Sequence, residues 1–309
     1  MIDLALSAVP AAISTFSPNL LRDVHDMLQF DFMRHAFLAG SVLSVLAGLI
    51  GYFVVARRLI FTSDVLSHIA FPGALAAIII GVNPLLGVFG LSLAAAFGMS
   101  LLGGRSRVND VTTGTLLAWV LGVGVLFLSI YTSGNSASNS SAGVNVLFGS
   151  LFGIHAREAR IVAIVGILTA IALLAIARPL LFASLDPEVA AARGVPVRLL
   201  SLLFLILLAV TVAEAVQAVG ALLMFALLVT PAAIARRLVA RPFAALLLSG
   251  VLSLSFTWAG ITIAFYLPYP VSFCLTALVF VSYVGVVVVQ RVRHAHAYRR
   301  GSARVEAAA

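Results

Sequence analysis

Residues 199–235 read LLSLLFLILLAVTVAEAVQAVGALLMFALLVTPAAIA, an apolar run of 37 residues. A helix that crosses the hydrocarbon core of a bilayer needs about 20 predominantly apolar residues. The run is about twice that length, and its one ionisable residue, Glu214, lies near the middle beside Gln217 and Gly220. We therefore predict two membrane-spanning helices here, separated in the region of Glu214.

The same apolar pattern recurs along the chain. Hydrophobic residues make up 62% of the 309 residues and charged residues only 10%, whereas about 25% of the residues of an average soluble domain are charged. Other apolar runs, each of about 17 to 24 residues, cover residues 33–56, 66–82, 85–102, 112–131, 161–177, 244–265 and 271–289. We predict an all-α polytopic membrane protein with about nine transmembrane helices, eight being the alternative count.

The predicted transmembrane domain covers residues 31–290. An N-terminal interfacial segment at 1–30 precedes it, and a basic cytoplasmic tail at 291–309 follows it. Within the domain, a polar cytoplasmic loop is predicted at 178–198, with a coupling role. Residues 144–154 are apolar but too few to cross a bilayer, so we expect a re-entrant or packed segment there.

All 19 basic residues are arginine, and no lysine occurs in the sequence. If every second loop is cytoplasmic, 15 of the 19 arginines lie on the cytoplasmic side, as expected of a membrane protein. The N-terminus is then outside and the C-terminus inside. This distribution accounts for the net charge of +8 without a nucleic-acid partner.

The absence of lysine excludes several kinds of chemistry. The chain has neither a GxxxxGK[ST] phosphate-binding loop nor a lysine that could form a Schiff base. Any energy from ATP must therefore come from a partner chain. The single cysteine, Cys274, lies in an apolar run, so neither a disulfide framework nor a thiolate metal cluster is available.

Asp64 and His68 are the clearest candidate binding residues. An ionisable side chain at the bilayer centre costs about 2.5–3.5 kcal/mol on insertion scales, so each one requires an explanation. Residues four apart lie on one face of a helix, and a carboxylate with an imidazole suits manganese, zinc or iron better than calcium or an organic solute. The alternative is that Asp64 caps a helix at the membrane surface and His68 bonds to neighbouring backbone.

Further residues predict a discontinuous helical pathway. Pro72, followed by Gly73, displaces the carbonyl of His68 from its helical hydrogen bond, so that this oxygen can face the same point as the two side chains. Pro231 predicts a second kink near the end of a span. Glu214 is a further candidate metal ligand, the alternative being that it lies in an exposed outer turn.

Residues 185–194, LDPEVAAARG, predict a short independent helix within the polar loop. Asp186 is suited to the N-cap, Pro187 to the first helical position, and Gly194 to a left-handed stop. Glu188 favours the positive end of the helix. So small a helix has no core of its own, and we interpret it as a docking element for a soluble partner, a connecting helix on the membrane surface being the alternative.

These and other motifs follow one another in a fixed order along residues 28–290. They are Phe32-Met33-Arg34, Arg57-Arg58, Asp64, Ser67-His68, Pro72-Gly73, Leu147-Phe148-Gly149, Asp186-x-Glu188-x-Ala190-x-x-x-Gly194, Val219-Gly220-Ala221-Leu222-Leu223 and Pro231-Ala232-Ala233. With them the chain resembles the membrane permeases of zinc, manganese and iron ATP-binding-cassette importers, the metal ABC-3 family.

The resemblance implies a permease of the bacterial plasma membrane whose fold is similar to the permeases of cobalamin and siderophore importers. Such a permease dimerises, receives divalent metal from an extracytoplasmic binding protein and holds no permanent cofactor. It is not an enzyme, because a cytoplasmic ATPase dimer hydrolyses the ATP. Asp64 and His68 would line the metal path, and Asp186, Glu188, Ala190 and Gly194 would belong to the helix that couples the permease to the ATPase.

Two alternative functions fit the same architecture less well. A siderophore or cobalamin permease needs a wide, mostly uncharged path, which Asp64 and His68 would interrupt. A secondary transporter that works without ATP needs a network of charges within the membrane to bind coupling ions. Only Asp64, His68 and Glu214 are available for such a network.

Overall fold

The computed structural model describes residues 29–102, 110–134, 151–266 and 270–306. Within these residues all regular structure is helical and no strand occurs, which confirms the predicted fold class. A 3-10 turn spans Leu151–Gly153. The α-helices, in chain order, are α1 (Asp31–Ala56), α2 (Ile60–Ile80), α3 (Pro84–Leu102), α4 (Asp110–Gly134), α5 (Ala156–Leu185), α6 (Pro187–Ala192), α7 (Val197–Val219), α8 (Ala221–Leu238), α9 (Pro242–Tyr266) and α10 (Val271–Glu306).

Eight of the described helices are long and apolar enough to cross a membrane. They are α1 to α5, α7, α9 and α10, and their number equals the lower of the two predicted counts. α8, with 18 residues, is not among the eight, although it occupies one of the nine predicted spans. The described part of the chain thus has a helix at each predicted span.

The double-length apolar run is divided at Gly220, between α7 and α8. Gly220 has a φ of +91°, a backbone conformation that glycine adopts at little cost. Glu214 and Gln217 therefore lie inside the last turns of α7 and not in the connection. Glu214 is only 3% exposed, so the alternative of an exposed outer turn is wrong for this residue.

α5 continues beyond its predicted end at residue 177 and reaches Leu185. Arg178 points to the exposed side of the helix, whereas Leu180 and Leu181 prolong the buried face to which Ala177 belongs. Burial of that face sustains the helix through a stretch that looks polar in the sequence. Only the second half of the predicted loop at 178–198 is therefore a connection between long helices.

Two other helices are also longer than predicted. α2 begins at Ile60, six residues before the predicted start, so Asp64 lies inside it. α10 continues to Glu306 and takes in much of the predicted tail. Residues 1–28 of the N-terminal segment, and 144–150 of the predicted re-entrant segment, lie outside the described residues.

α1 lies at the centre of the bundle and packs against α5, α7, α8 and α9. Its glycines allow this close packing. A Cβ on Gly48 would lie 2.6 Å from the carbonyl oxygen of Ser249 in α9, and a Cβ on Gly51 would overlap the carbonyl oxygen of Leu228 in α8. The Ser249 hydroxyl also donates a hydrogen bond to the Gly48 carbonyl at 2.7 Å. Small residues that let backbones approach in this way are the usual basis of helix packing in bilayers.

α2, which carries Asp64 and His68, is packed between α3 and α4. Gly73 of α2 and Gly87 of α3 meet so closely that a Cβ on either would overlap backbone of the other. Pro72 packs against Gly124 of α4. Gly73, which the sequence associates with a kink, is thus a contact position between α2 and α3.

Candidate metal site

Asp64 and His68 lie one helical turn apart on the same face of α2. Nε2 of His68 is 3.7 Å from Oδ1 of Asp64, and each side chain is 35% exposed. The predicted juxtaposition is confirmed. The capping alternative is wrong, because Asp64 lies in the second turn of α2 and the N-cap position is held by Leu59, which makes no side-chain cap.

The local sequence determines which way the pair points. Val65, Leu66 and Ile69 are completely buried and fix the opposite side of α2 in the core of the bundle. Asp64 and His68 are left on a partly exposed stripe, so a carboxylate oxygen and an imidazole nitrogen face the surface of the single chain.

The hydroxyl groups next to the pair are used within α2 itself. Ser63 donates to the Ile60 carbonyl at 2.7 Å, and Ser67 donates to the Ser63 carbonyl at 3.0 Å. Serine hydroxyls often bond to the preceding turn of a helix in this way. Neither hydroxyl therefore bonds to the carboxylate of Asp64 or the imidazole of His68.

The two prolines lie inside helices that contact each other. Pro72 is buried in α2, and Pro231 is buried in α8. A proline in a helix interior has no N–H and leaves the carbonyl four residues earlier without its helical donor. For Pro72 that carbonyl belongs to His68. The role of these prolines in a transport pathway stays a prediction.

Glu214 does not join the pair. In the described part of the chain, no group of three His, Cys, Asp or Glu side chains lies close enough to hold a metal ion. Glu214 is buried between α7 and α5, where a Cβ on Gly166 would lie 3.7 Å from both carboxylate oxygens. Neither oxygen accepts a hydrogen bond from a described residue. The structure separates this carboxyl from Asp64 and His68.

The predicted loop helix is present as α6. Oδ1 of Asp186 accepts hydrogen bonds from the backbone N–H groups of Glu188 and Val189, at 3.1 and 3.0 Å. Pro187 occupies the first turn, and Gly194 ends the segment with a φ of +81°. Each predicted start and stop signal is therefore confirmed at its residue.

α6 is fixed to the bundle on one side and free on the other. Ala190 is completely buried, while Leu185 and Val189 are 72% and 43% exposed. Glu188 is also exposed. This short helix thus presents the Glu188 carboxylate and the Val189 side chain outward, next to Leu185 at the end of α5.

Two features near the site were not predicted. The close contact between Gly73 and Gly87 has a weak signal in the sequence, since glycine within an apolar span often marks close packing. The side-chain contact between Arg57 and Ser201 has none, because the two residues are 144 positions apart.

Comparison with known proteins supports the same architecture. The chain is 28% identical over 260 residues to the manganese import system permease protein ScaB of Streptococcus parasanguinis, covering 83% of this chain and 91% of ScaB. Its fold matches PsaBC from Streptococcus pneumoniae with a TM-score of 0.75 at 23% identity, covering 87% of this chain and 95% of that chain. It also matches a structure described as an inward-facing conformation of a metal-chelate type ABC transporter, with a TM-score of 0.67 at 24% identity and coverage of 89% and 92%.

These findings confirm the predicted location and the predicted kinship. Eight apolar helices, together with membrane permease relatives, make the chain a multi-pass protein of the bacterial plasma membrane. The sequence pattern of the ABC 3 transport family matches residues 29–290, which is most of the chain and includes Asp64, His68 and α6. The chain belongs to the ABC 3 transport family.

Proposed function

We propose that the chain is the permease subunit of an ATP-driven importer of divalent transition metal ions, with manganese as the cargo and Asp64 and His68 as ligands along its path. The observation that carries the proposal is the pair itself: a carboxylate and an imidazole 3.7 Å apart on an apolar membrane helix. Such groups are retained within membranes where they serve ion pathways. ScaB, to which the chain is similar, is a manganese import system permease protein, so manganese is the first cargo to test.

Two ligands from one chain are too few for a transition metal ion, which takes at least four. The pair is partly exposed on the surface of the single chain. A second copy, related by a two-fold axis through that surface, would contribute its own Asp64 and His68 and complete a set of four. We therefore propose that the permease works as a homodimer with metal passing at the interface.

ATP binding and hydrolysis belong to a separate cytoplasmic ATPase dimer in this proposal, because the permease contains no lysine for a phosphate-binding loop. An extracytoplasmic binding protein would deliver the ion at the other side of the membrane. Movement of the ATPase would displace α6, and α7 and α2 would follow, opening the path past Asp64 and His68 to one side at a time. The metal is cargo, and no cofactor is held permanently.

The proposal is tested by uptake into proteoliposomes. The permease would be reconstituted with a cognate cytoplasmic ATPase and an extracytoplasmic metal-binding protein, and radioactive Mn²⁺ would be supplied with the binding protein. We expect Mn²⁺ accumulation to require ATP. Zinc or iron should inhibit it to the extent that the importer also accepts those ions. An iron–siderophore complex or cobalamin should not inhibit it. Accumulation without ATP, or transport of the chelate in place of the free ion, would contradict the proposal.

The docking role of α6 gives a separate prediction. Glu188→Arg should lower ATP-dependent uptake at least about tenfold, because like charges brought together at a protein interface cost several kcal/mol. The amount of inserted permease should not change, since Glu188 is exposed. Uptake and ATP hydrolysis would be measured together on the reconstituted complex.

Asp110→Arg is the matched control for this experiment. Asp110 is also an exposed carboxylate in the first turn of a helix, α4. It lies at the same end of the bundle, since α4 runs parallel to α2, with Phe61 beside Gly114 and Pro72 beside Gly124. We expect normal uptake from this variant. Equal loss of uptake in both variants would show that charge alone matters and would refute a specific role for α6.

A further inference from the structure

The connection between α1 and α2 holds an arginine whose side chain reaches the start of α7. Arg57 directly follows α1, and its backbone N–H still bonds to the Phe53 carbonyl at 2.9 Å. Arg58 then turns the chain with a φ of +60°, and α2 begins at Ile60. Arg57 is therefore only seven residues before Asp64 in the sequence, and the first turn of α2 lies between them.

The Arg57 side chain is held by two residues of α7. Its Nη2 donates a hydrogen bond to the Ser201 hydroxyl at 2.5 Å, and its Cζ lies 5.5 Å from the centroid of the Phe204 ring. Phe204 is completely buried and also packs against Phe53 of α1, with 5.9 Å between ring centroids. A planar guanidinium that both donates a hydrogen bond and lies over an aromatic ring is held in one geometry.

No acidic partner explains this arrangement. Among the described residues the ion pairs involve other side chains, and Nη1 of Arg57 is buried without a hydrogen-bond acceptor. Burial lowers the pKa of Arg57 to about 10, so its guanidinium is still charged at neutral pH. The carbonyl end of α1 favours a cation at this position. The contacts of Arg57 therefore bind α7 to the α1–α2 turn, and do not neutralise a charge.

We infer that Arg57 is a positioning residue that carries the displacement of α6 to the Asp64–His68 pair. α6 and α7 are separated only by residues 193–196, so a shift of α6 moves the first turns of α7, where Ser201 and Phe204 lie. Through Arg57 the same shift reaches the start of α2. The inference rests on the proposed function, since it assigns a coupling route to that importer.

The test is the number of metal ions transported per ATP hydrolysed by the reconstituted complex. Arg57→Gln should retain ATP hydrolysis and lower this ratio about tenfold, because it removes both the hydrogen bond to Ser201 and the cation–π contact with Phe204. Arg57→Lys should also lower it, because an ammonium group is not planar and cannot both donate to Ser201 and stack on the Phe204 ring. Arg58→Gln is the matched control: Arg58 is adjacent and exposed, and its variant should keep the wild-type ratio.

A purely structural role for Arg57 gives a different result. It would lower the amount of assembled complex, and uptake and hydrolysis would fall together at a constant ratio, which would overturn the inference. If Arg57→Gln does not assemble, Ser201→Ala provides the test, because it removes only the hydroxyl that accepts the hydrogen bond from Arg57. It should lower the number of ions transported per ATP about threefold. An unchanged number would overturn the inference. Absence of ATP-driven uptake by the wild-type complex would refute the proposed function itself.

Discussion

Asp64→Ala should reduce manganese uptake by the reconstituted transporter about a hundredfold, with ATP hydrolysis in the absence of metal unchanged. Loss of groups that merely support a metal ligand commonly costs 10- to 100-fold in affinity, so removal of the carboxylate itself should lie at or beyond the upper end of that range. His68→Ala should have an effect of the same size. The measurement is the initial rate of Mn²⁺ accumulation at equal amounts of inserted permease.

Two further variants separate ligand chemistry from packing. Asp64→Asn keeps the shape of the side chain but removes the charge, and it should be nearly as inactive as the alanine variant. Ser63→Ala alters the neighbouring residue, whose hydroxyl donates a hydrogen bond to the preceding turn of α2, and should transport normally. Wild-type uptake by Asp64→Asn, or equal loss of uptake by Ser63→Ala, would exclude Asp64 as a metal ligand.

Gly51→Ala should have the largest effect on folding. The added methyl group would overlap the carbonyl oxygen of Leu228, and backbone on α8 cannot turn away as a side chain can. Overpacking of a core typically costs about 1–3 kcal/mol and sometimes more. Here α1 and α8 would have to separate, so we expect little or no permease that is stable in detergent.

Gly90→Ala is the matched control for Gly51→Ala. Gly90 lies in α3 with nothing within 4 Å of an added Cβ, and alanine in a helix is favoured over glycine by about 0.5–1 kcal/mol. This variant should therefore be at least as stable as the natural chain. The yield of intact permease after extraction into detergent gives the comparison, and an equal yield of Gly51→Ala and the natural chain would contradict the contact between α1 and α8.

Much of the fold could be predicted because its signals are local. The number and positions of the long helices follow from runs of apolar residues, since a bilayer sets the length that each run must have. The caps of α6 follow from Asp186, Pro187 and Gly194, whose effects extend over a single turn. The juxtaposition of Asp64 and His68 follows from helical spacing alone.

Two differences between the sequence-based expectations and the structure share one physical cause. Arg178 looks like the start of a loop in the sequence, but α5 continues past it because Leu180 and Leu181 are buried against the bundle. Glu214 looked like part of an exposed turn because it is charged, although α5 provides a recess for it at Gly166. In each case burial by another helix outweighs the polarity of one residue.

The sequence by itself therefore determined that this is an all-helical membrane protein, where its helices lie, how α6 begins and ends, and that a carboxylate and an imidazole share a face of α2. Only the tertiary structure decided which helices meet at Gly51 and Gly73, that Glu214 is separate from the pair, and that Arg57 reaches Ser201 from 144 positions away. Hydropathy and capping act within one helix and can be recognised in the sequence. The contacts between helices depend on the fit of surfaces from distant segments, and that fit exists only once the bundle is assembled.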